Sequence, residues 1–264
     1  MDEIGRFLIF LEARSNGRIR GRGGEALHYL IFKVLSSGSE DYANHIHQIT
    51  EKPFAISPMI IAEEDKNVLV SNGFMNIKRW DIYCIVVRCL NGEFISRFRD
   101  ASQKFTGRSV VLSRVPFDII DVKEEGMTSY SELLKERYNP HNAEMEIITP
   151  LSFRSNGIQI LFPIPELIVK SVLSIWNNFS STRIPTNLID CAKDIRVSGY
   201  ELKTELIKFS DYNIFGCTGR ISFDLRLIKD EQLNLLKALL LYSNYSGIGY
   251  KRTMGMGMVN TTLI

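Results

Sequence analysis

The chain reads as an α+β protein built from tandem ferredoxin-like (RRM-like) βαββαβ domains, each an antiparallel sheet with helices on one face. Three observations carry this reading. Apolar periodicity runs strand, helix, two strands, helix, strand, and that order is told again in the second half. A charged, polar stretch from Lys123 to Asn142 divides the halves and gives domains at 1–125 and 140–264. The length of 264 residues suffices for two units of roughly 130, each able to bury a core.

The elements follow in order. Phe7 to Leu11 is a short apolar run suited to a buried strand. Ala13 to Gly24 contains no acid and carries Arg14, Arg18, Arg20 and Arg22 among glycines, the composition of a basic surface loop. Ala26, Leu27, Leu30, Ile31, Val34 and Leu35 form a helical stripe ending near Gly38. Ser57 to Asn76 predicts a hairpin with Glu63 to Asn67 as its polar turn, and Asp81 to Cys89 predicts a strand. Phe94, Phe98, Ala101 and Phe105 recur at helical spacing before an extended stretch, Ser109 to Val122. The divide holds a short helical piece at Ser131 to Glu136.

In the second half, Glu144–Ile148 and Gly157–Phe162 are extended, and a helix is expected from Glu166 to about Asn178. Arg196–Phe209 and Phe215–Leu225 read as strands; Ile221, Phe223 and Leu225 alternate with Ser222, Asp224 and Arg226. Asp230 is placed to cap a last helix, Glu231 to about Tyr242, and Met254 to Leu263 predicts the closing strand.

Composition sets bounds on function. A net charge of +2 does not announce a nucleic-acid binder, so any attraction to one must come from local clusters. Cys84, Cys89, Cys191 and Cys217 form no CxxC and no Cys–His spacing suited to zinc. Cys84 and Cys217 fall in apolar strand-like runs, as buried thiols in a reducing compartment would. No basic-apolar-small leader opens the chain, and the longest apolar stretch, Ile158 to Phe179, is broken by Pro163, Pro165, Glu166 and Lys170. A soluble cytoplasmic protein without a membrane span is expected.

The densest signal is the segment Gly247-Ile-Gly249-Tyr-Lys251-Arg252-Thr-Met-Gly255-Met-Gly257. Its four glycines allow positive φ and close backbone approach, so their N–H groups can line an anion-sized concavity while Lys251 and Arg252 add charge. No Gly-Lys-Ser/Thr closes it as a nucleotide P-loop, and no strand precedes it as in a dinucleotide fingerprint. It reads as a loop for a polyphosphate backbone, RNA first, with Arg18, Arg20 and Arg22 as a second basic cluster. The plain alternative is a glycine-rich hairpin that ends a sheet.

Of four histidines, His28, His45 and His47 lie within twenty residues, while His141 falls in the linker turn Asn139-Pro140-His141-Asn142. Histidine titrates near neutrality and suits proton transfer. Metal-free RNA cleavage uses the neighbouring 2′-OH as nucleophile, with a base for its proton, an acid for the leaving 5′ oxygen and a cation for the phosphate. No Asp/Glu cluster at metal-site spacing accompanies the histidines, so neither metal nor cofactor is expected.

Taken together, the Gly-x-Gly-x5-Gly-x-Gly loop, the tandem ferredoxin-like pattern and the early helix with nearby histidines resemble the CRISPR-associated endoribonuclease family of the repeat-associated mysterious protein (RAMP) superfamily. Three stretches extend the resemblance over nearly the whole chain: His47 to Pro58 (HQITEKPFAISP), Ile148 to Phe153 (ITPLSF) and Phe215 to Phe223 (FGCTGRISF). The resemblance implies cleavage of precursor CRISPR RNA within its repeats, leaving a 2′,3′-cyclic phosphate and a 5′-OH. It also implies repeat RNA as partner, and leaves open a multi-subunit effector complex and a homodimer. His47 matches the family's catalytic histidine and Lys52 the cation found in some members. Where some members carry a catalytic tyrosine on the first helix, this chain has Phe32, and His28, one turn earlier, is the preferred substitute over Tyr29. His45 is a back-up or an RNA contact. The rival implied by Phe32 is a RAMP subunit that binds crRNA in an effector complex without cutting it.

Overall fold

The computed structural model describes residues 2–62, 66–68, 70–135 and 141–264. Its first half runs β1 (Glu3–Ala13), β2 (Gly17–Arg20), α1 (Gly24–Gly38), α2 (Glu40–Gln48), β3 (Phe54–Ile56), β4 (Ile60–Ile61), β5 (Lys66–Asn67), β6 (Val70–Ser71), β7 (Phe74–Ile77), β8 (Ile82–Cys89), α3 (Gly92–Phe105), β9 (Ser109–Leu112), β10 (Val115–Ser129) and α4 (Tyr130–Lys135). The main sheet is ordered β5-β4-β8-β1-β10-β9, with β3 also on β8. Central β1 is antiparallel to both neighbours, Phe7 facing Val87 and Leu11 facing Tyr83. Alternation along β1 turns Phe7, Ile9 and Leu11 into one core with Leu27, Leu30, Ile31, Val34 and Leu35 of α1 and Phe94, Ile95 and Phe98 of α3. Asn91 starts α3 by accepting a hydrogen bond from the Phe94 N–H (2.8 Å).

The second half repeats the plan. It comprises β11 (Asn142–Leu151), β12 (Phe153–Ser155), β13 (Ile158–Ile160), α5 (Pro165–Phe179), a 3-10 segment (Thr186–Asp194), β14 (Arg196–Lys208), β15 (Asn213–Asp224), α6 (Asp230–Ser246), a 3-10 turn (Arg252–Met254) and β16 (Val259–Leu263). The sheet is ordered β14-β15-β11-β16, antiparallel throughout. Both halves therefore have the predicted α+β, ferredoxin-like topology. No helix among the described residues is long and apolar enough to cross a membrane, and all four cysteines are buried, none in a disulfide among the described residues.

The halves share a core at one end. Ile4 and Leu90 of the first half, with Tyr130 and Leu133 of α4, belong to the cluster built by α5, α6 and the second sheet. Fully buried Tyr130 donates its hydroxyl proton to the Leu90 carbonyl (2.8 Å) and accepts from Tyr242 of α6 (2.8 Å). Edge-on contacts with Trp176 complete the trio.

Several local expectations change. Ser57–Asn76 is not one hairpin: β4 pairs with β5, and β6 with β7, while residues 63–65 of the expected turn lie outside the described residues. Ser109–Val122 is two paired strands, because Ser113 and Arg114 take positive φ (49° and 71°) and reverse the chain. Lys123–Ser129, read as polar divide, continues β10 with its charged side chains outward; residues 136–140 lie outside the described residues. Asp230 is the first residue of α6 rather than its cap; Lys229 holds the N-cap without a side-chain bond. Met254–Met258 is turn, and only Val259–Leu263 is strand.

Removing the Tyr130 hydroxyl orphans two buried groups, the Leu90 carbonyl and the Tyr242 hydroxyl. Tyr130→Phe should lower unfolding free energy by about 1–3 kcal/mol, against a smaller loss for Tyr242→Phe, read as the shift in urea midpoint at constant m.

Candidate nucleic-acid interface

The candidate site forms where α1, α2 and the glycine loop meet between the domains. α2 is well started: the Ser39 hydroxyl accepts from the Tyr42 N–H (3.2 Å), and Glu40 and Asp41 complement the helix dipole. His45 and His47 are thus exposed residues of a helix's last turn. Two residues apart on a helix they project to different sides, so His45 does not share the face of His47.

His28 lies on α1 with its ring against Phe32 (centroids 4.9 Å) and, farther off, Phe54 (6.0 Å). Phe32 in turn meets His47 edge-on at 5.2 Å. Phe32 therefore touches both histidine rings. His28 Nδ1 lies 2.9 Å from the Thr253 carbonyl oxygen of the glycine loop. A carbonyl accepts only, so Nδ1 carries the proton, and the neutral ring keeps a lone pair on Nε2. Burial lowers the His28 pKa from its ordinary 6.5; the Thr253 bond opposes it, and Lys52, His47 and Lys251 add smaller repulsions. Four sequence-predicted residues thus converge on one place.

Lys52 does not present a free ammonium. Its Nζ donates to the Ile49 (2.9 Å) and His47 (3.3 Å) carbonyls at the end of α2, where the helix dipole favours a cation. Burial lowers its pKa, with Glu51 opposing.

The glycine loop is built differently from expectation. Gly247, Gly249, Gly255 and Gly257 all take positive φ, between 66° and 79°, as does Lys251 at 58°. A Cβ at Gly257 would fall on the Ile248 carbonyl, and one at Gly249 on the Ser152 carbonyl. Yet the four glycine N–H groups do not line a concavity. They donate to the Ser243 carbonyl (2.9 Å), the Ser171 hydroxyl (2.9 Å), the Arg252 carbonyl (3.4 Å) and the Pro150 carbonyl (3.0 Å) respectively. The glycines let the loop pack on itself and on β11.

The two basic residues between them part company. Arg252 is buried (5 % exposed); it donates to the Ser246 carbonyl (2.6 Å) and ion-pairs with Glu51 of the first domain, so its charge is not offered outward. Lys251 holds its ammonium over the rings of Tyr212 (4.9 Å), Tyr250 (5.2 Å) and Phe209 (5.4 Å). Beside this cage a cleft of about 450 Å³ is lined by Arg20, Phe74, Lys208, Tyr212 and Asn213 among others.

The arginine stretch is part strand, not a free loop, since β2 pairs with β7. Arg14 bonds Asp118 and Glu12. Arg20 donates to the Ser210 carbonyl (3.0 Å), and Arg22 pairs with Glu205 across the domains (2.6 Å). Glu25 in the first turn of α1 receives the Ser210 N–H and hydroxyl (3.0 and 2.6 Å). Arg18 is exposed with no ion pair among the described residues. Sequence reasoning missed Glu51, Thr253 and Glu25; their partners lie about 200 residues away, and no local pattern marks them.

Comparison with known proteins agrees with the resemblance. The family model described as CRISPR-associated endoribonuclease Cas6 matches residues 145–259. A curated CRISPR-associated endoribonuclease Cas6 of Streptococcus thermophilus is 24 % identical over 233 residues, 87 % of each chain, and one of Mycobacterium tuberculosis is 21 % identical over 52 % of this chain and 44 % of its own. Among solved structures, a Cas6 product complex superposes with a TM-score of 0.82 at 20 % identity, over 99 % of this chain and 100 % of that one. A Cas6-related protein of Pyrococcus furiosus superposes at 0.67 and 17 % identity, over 98 % of each.

Because burial holds the His28 pKa below its unfolded value of 6.5, the folded protein binds fewer protons than the unfolded chain as pH falls through that value. The stabilisation from the neutral ring is complete above the unfolded pKa and declines below it, toward the lower folded pKa. His28→Gln should flatten the fall in unfolding free energy between about pH 7 and 5. Imidazole NMR should show His28 neutral, with the proton on Nδ1, at pH 7; a ring charged at that pH would contradict the assignment.

Proposed function

We propose that this chain, which carries the family pattern and fold of the CRISPR-associated endoribonucleases, cuts precursor CRISPR RNA within its repeats without a metal ion. The observation that carries the reading is His28, bonded to the Thr253 carbonyl of the glycine loop and in contact through Phe32 with His47, with Lys52 and Lys251 near enough to act on it electrostatically. The adjacent 2′-OH attacks the scissile phosphorus in line with the departing 5′ oxygen, so base and acid must stand on opposite sides of the phosphate. The contact of both histidine rings with Phe32 supports a two-histidine site.

His28, neutral and with Nε2 unprotonated, takes the 2′-OH proton. His47 gives a proton to the 5′ oxygen, and the products are a 2′,3′-cyclic phosphate and a 5′-OH. Each well-placed group contributes about 10²–10⁴-fold. Lys251 neutralises phosphate charge, since its ammonium is held by rings and not by carboxylates. Lys52 fixes the end of α2, and so His47, through its two carbonyl bonds. Arg18 and the Arg20–Tyr212 cleft hold the flanking strand, Tyr212 offering a ring for stacking. The solved product and substrate-mimic complexes of Cas6 proteins that this fold matches support RNA as the ligand.

A second reading, a RAMP subunit that binds crRNA in an effector complex without cutting, draws on Phe32: phenylalanine cannot exchange a proton. A superposing structure described as a RAMP protein binding different RNA substrates (TM-score 0.61, 14 % identity) supports RNA binding on this fold.

The deciding experiment incubates the protein with 5′-labelled repeat RNA in EDTA. One discrete cut ending in a cyclic phosphate is expected; tight binding without a cut would favour the second reading. His47→Ala should slow cleavage at least about 10²-fold with RNA affinity nearly intact; unchanged cleavage removes His47 from the mechanism. Lys251→Ala should weaken both binding and cleavage. It is a cleaner probe than Gly257→Asp, whose new side chain collides with the Ile248 carbonyl and disturbs the loop itself.

A further inference from the structure

We propose that Arg6 and Arg88 form a phosphate-binding site on the face of the first sheet opposite the histidines. Arg6 on β1 faces Arg88 on β8 directly across the ladder. Their neighbours Phe7, Val87 and Cys89 point into the helix-covered core, so strand alternation turns both arginines to the other face. There the Arg6 guanidinium lies over the Tyr245 ring of α6 (5.0 Å).

Arg88 is only 7 % exposed. Among the described residues, its Nε and Nη1, and the Nε of Arg6, have no hydrogen-bond partner though all three atoms are buried. The groups that act on Arg88 electrostatically are Arg6, a like charge, and the Tyr245 phenol; no carboxylate is among them. Burial, then Arg6, push its pKa down to about 9, which still leaves it charged at pH 7. The contrast is Arg252, equally buried and satisfied by Glu51 and the Ser246 carbonyl.

Glu125 on β10 faces Arg6 across the ladder, but among the described residues neither guanidinium makes an ion pair; two adjacent guanidiniums left so are unfavourable in a buried site, and like charges directly opposite on a sheet repel. A chain with no use for them would be better served by apolar side chains of similar size. Three orphaned N–H donors split between two planar forks suit an oxyanion with several acceptor oxygens, and phosphate is the anion guanidinium pairs best with. Arg6 itself is half-buried. The phosphate comes from an RNA backbone or from free phosphate. The first source rests on the RNA-cleaving function proposed above; the second does not.

The test uses the full chain and Arg88→Met, with Arg6→Met and Arg88→Lys as further variants should Arg88→Met fold poorly. Thermal unfolding is compared in inorganic phosphate and in chloride at matched ionic strength, and repeat-RNA affinity is measured across a salt series. Phosphate should raise the melting temperature of the wild type and not that of Arg88→Met, which should be at least as stable in chloride. If RNA is the source, Arg88→Met should lose affinity about tenfold and shallow the log–log salt slope by about one. If free phosphate is the source, the thermal effect is lost and the salt slope stays. A wild type without a phosphate shift, whose RNA affinity and slope Arg88→Met leaves unchanged, overturns the site. A wild type that binds no RNA at all defeats the proposed function instead, and the phosphate arm still decides this one.

Discussion

The buried guanidinium of Arg252 is the contact on which the candidate site rests. It joins the Ser246 carbonyl at the end of α6 to Glu51, just beyond α2 of the other domain. Burying an arginine to this degree costs less when its charge and donors are matched, and Arg252's are, so the loop has little freedom to sit elsewhere. Because residue 252 is anchored, Thr253 brings its carbonyl to His28, and Lys251 is directed outward into its aromatic cage. Removing either partner would leave an uncompensated charge between the domains and release the loop that orients the histidine.

The same economy of contacts runs through the domain interface. Arg22 meets Glu205, Arg20 meets the Ser210 carbonyl, and Glu25 receives the Ser210 N–H, so the tip of the β14–β15 hairpin is clamped to the start of α1. At the far end Tyr130, Trp176 and Tyr242 close a shared core. With both ends held, α1 and α2 bring the rings of His28 and His47 into contact with Phe32.

Legibility followed the range of the interactions. α1, α3, α5 and the β14–β15 pair were readable because an apolar stripe at period 3.6 or 2 reports burial from neighbours in sequence. The Ser57–Asn76 region misled because its four strands are two to four residues long, too short for a period to show. His47 was identified as a candidate, but its placement on a helix escaped notice: α2 is nine residues, mostly polar, with only Ala43 and Ile46 buried. Asp230 had the right chemistry for a cap and sits one residue inside the helix, where it still favours the dipole.

The sequence by itself determined the antiparallel α+β class, the two-fold repetition of the plan, the need for positive φ in the glycine loop, and which residues were able to carry proton chemistry. These are properties of local pattern and of side-chain type. Only the tertiary structure decided what those residues are free to do. It turned the glycine N–H groups inward, buried Arg252 and left Lys251 facing out. It also fixed the His28 tautomer through a carbonyl 225 residues away and set Arg88 beside Arg6 with no ion pair to either among the described residues. Charge and hydrogen-bond capacity are written in the residue, but whether a partner has already taken them depends on contacts between distant segments, which no local pattern encodes.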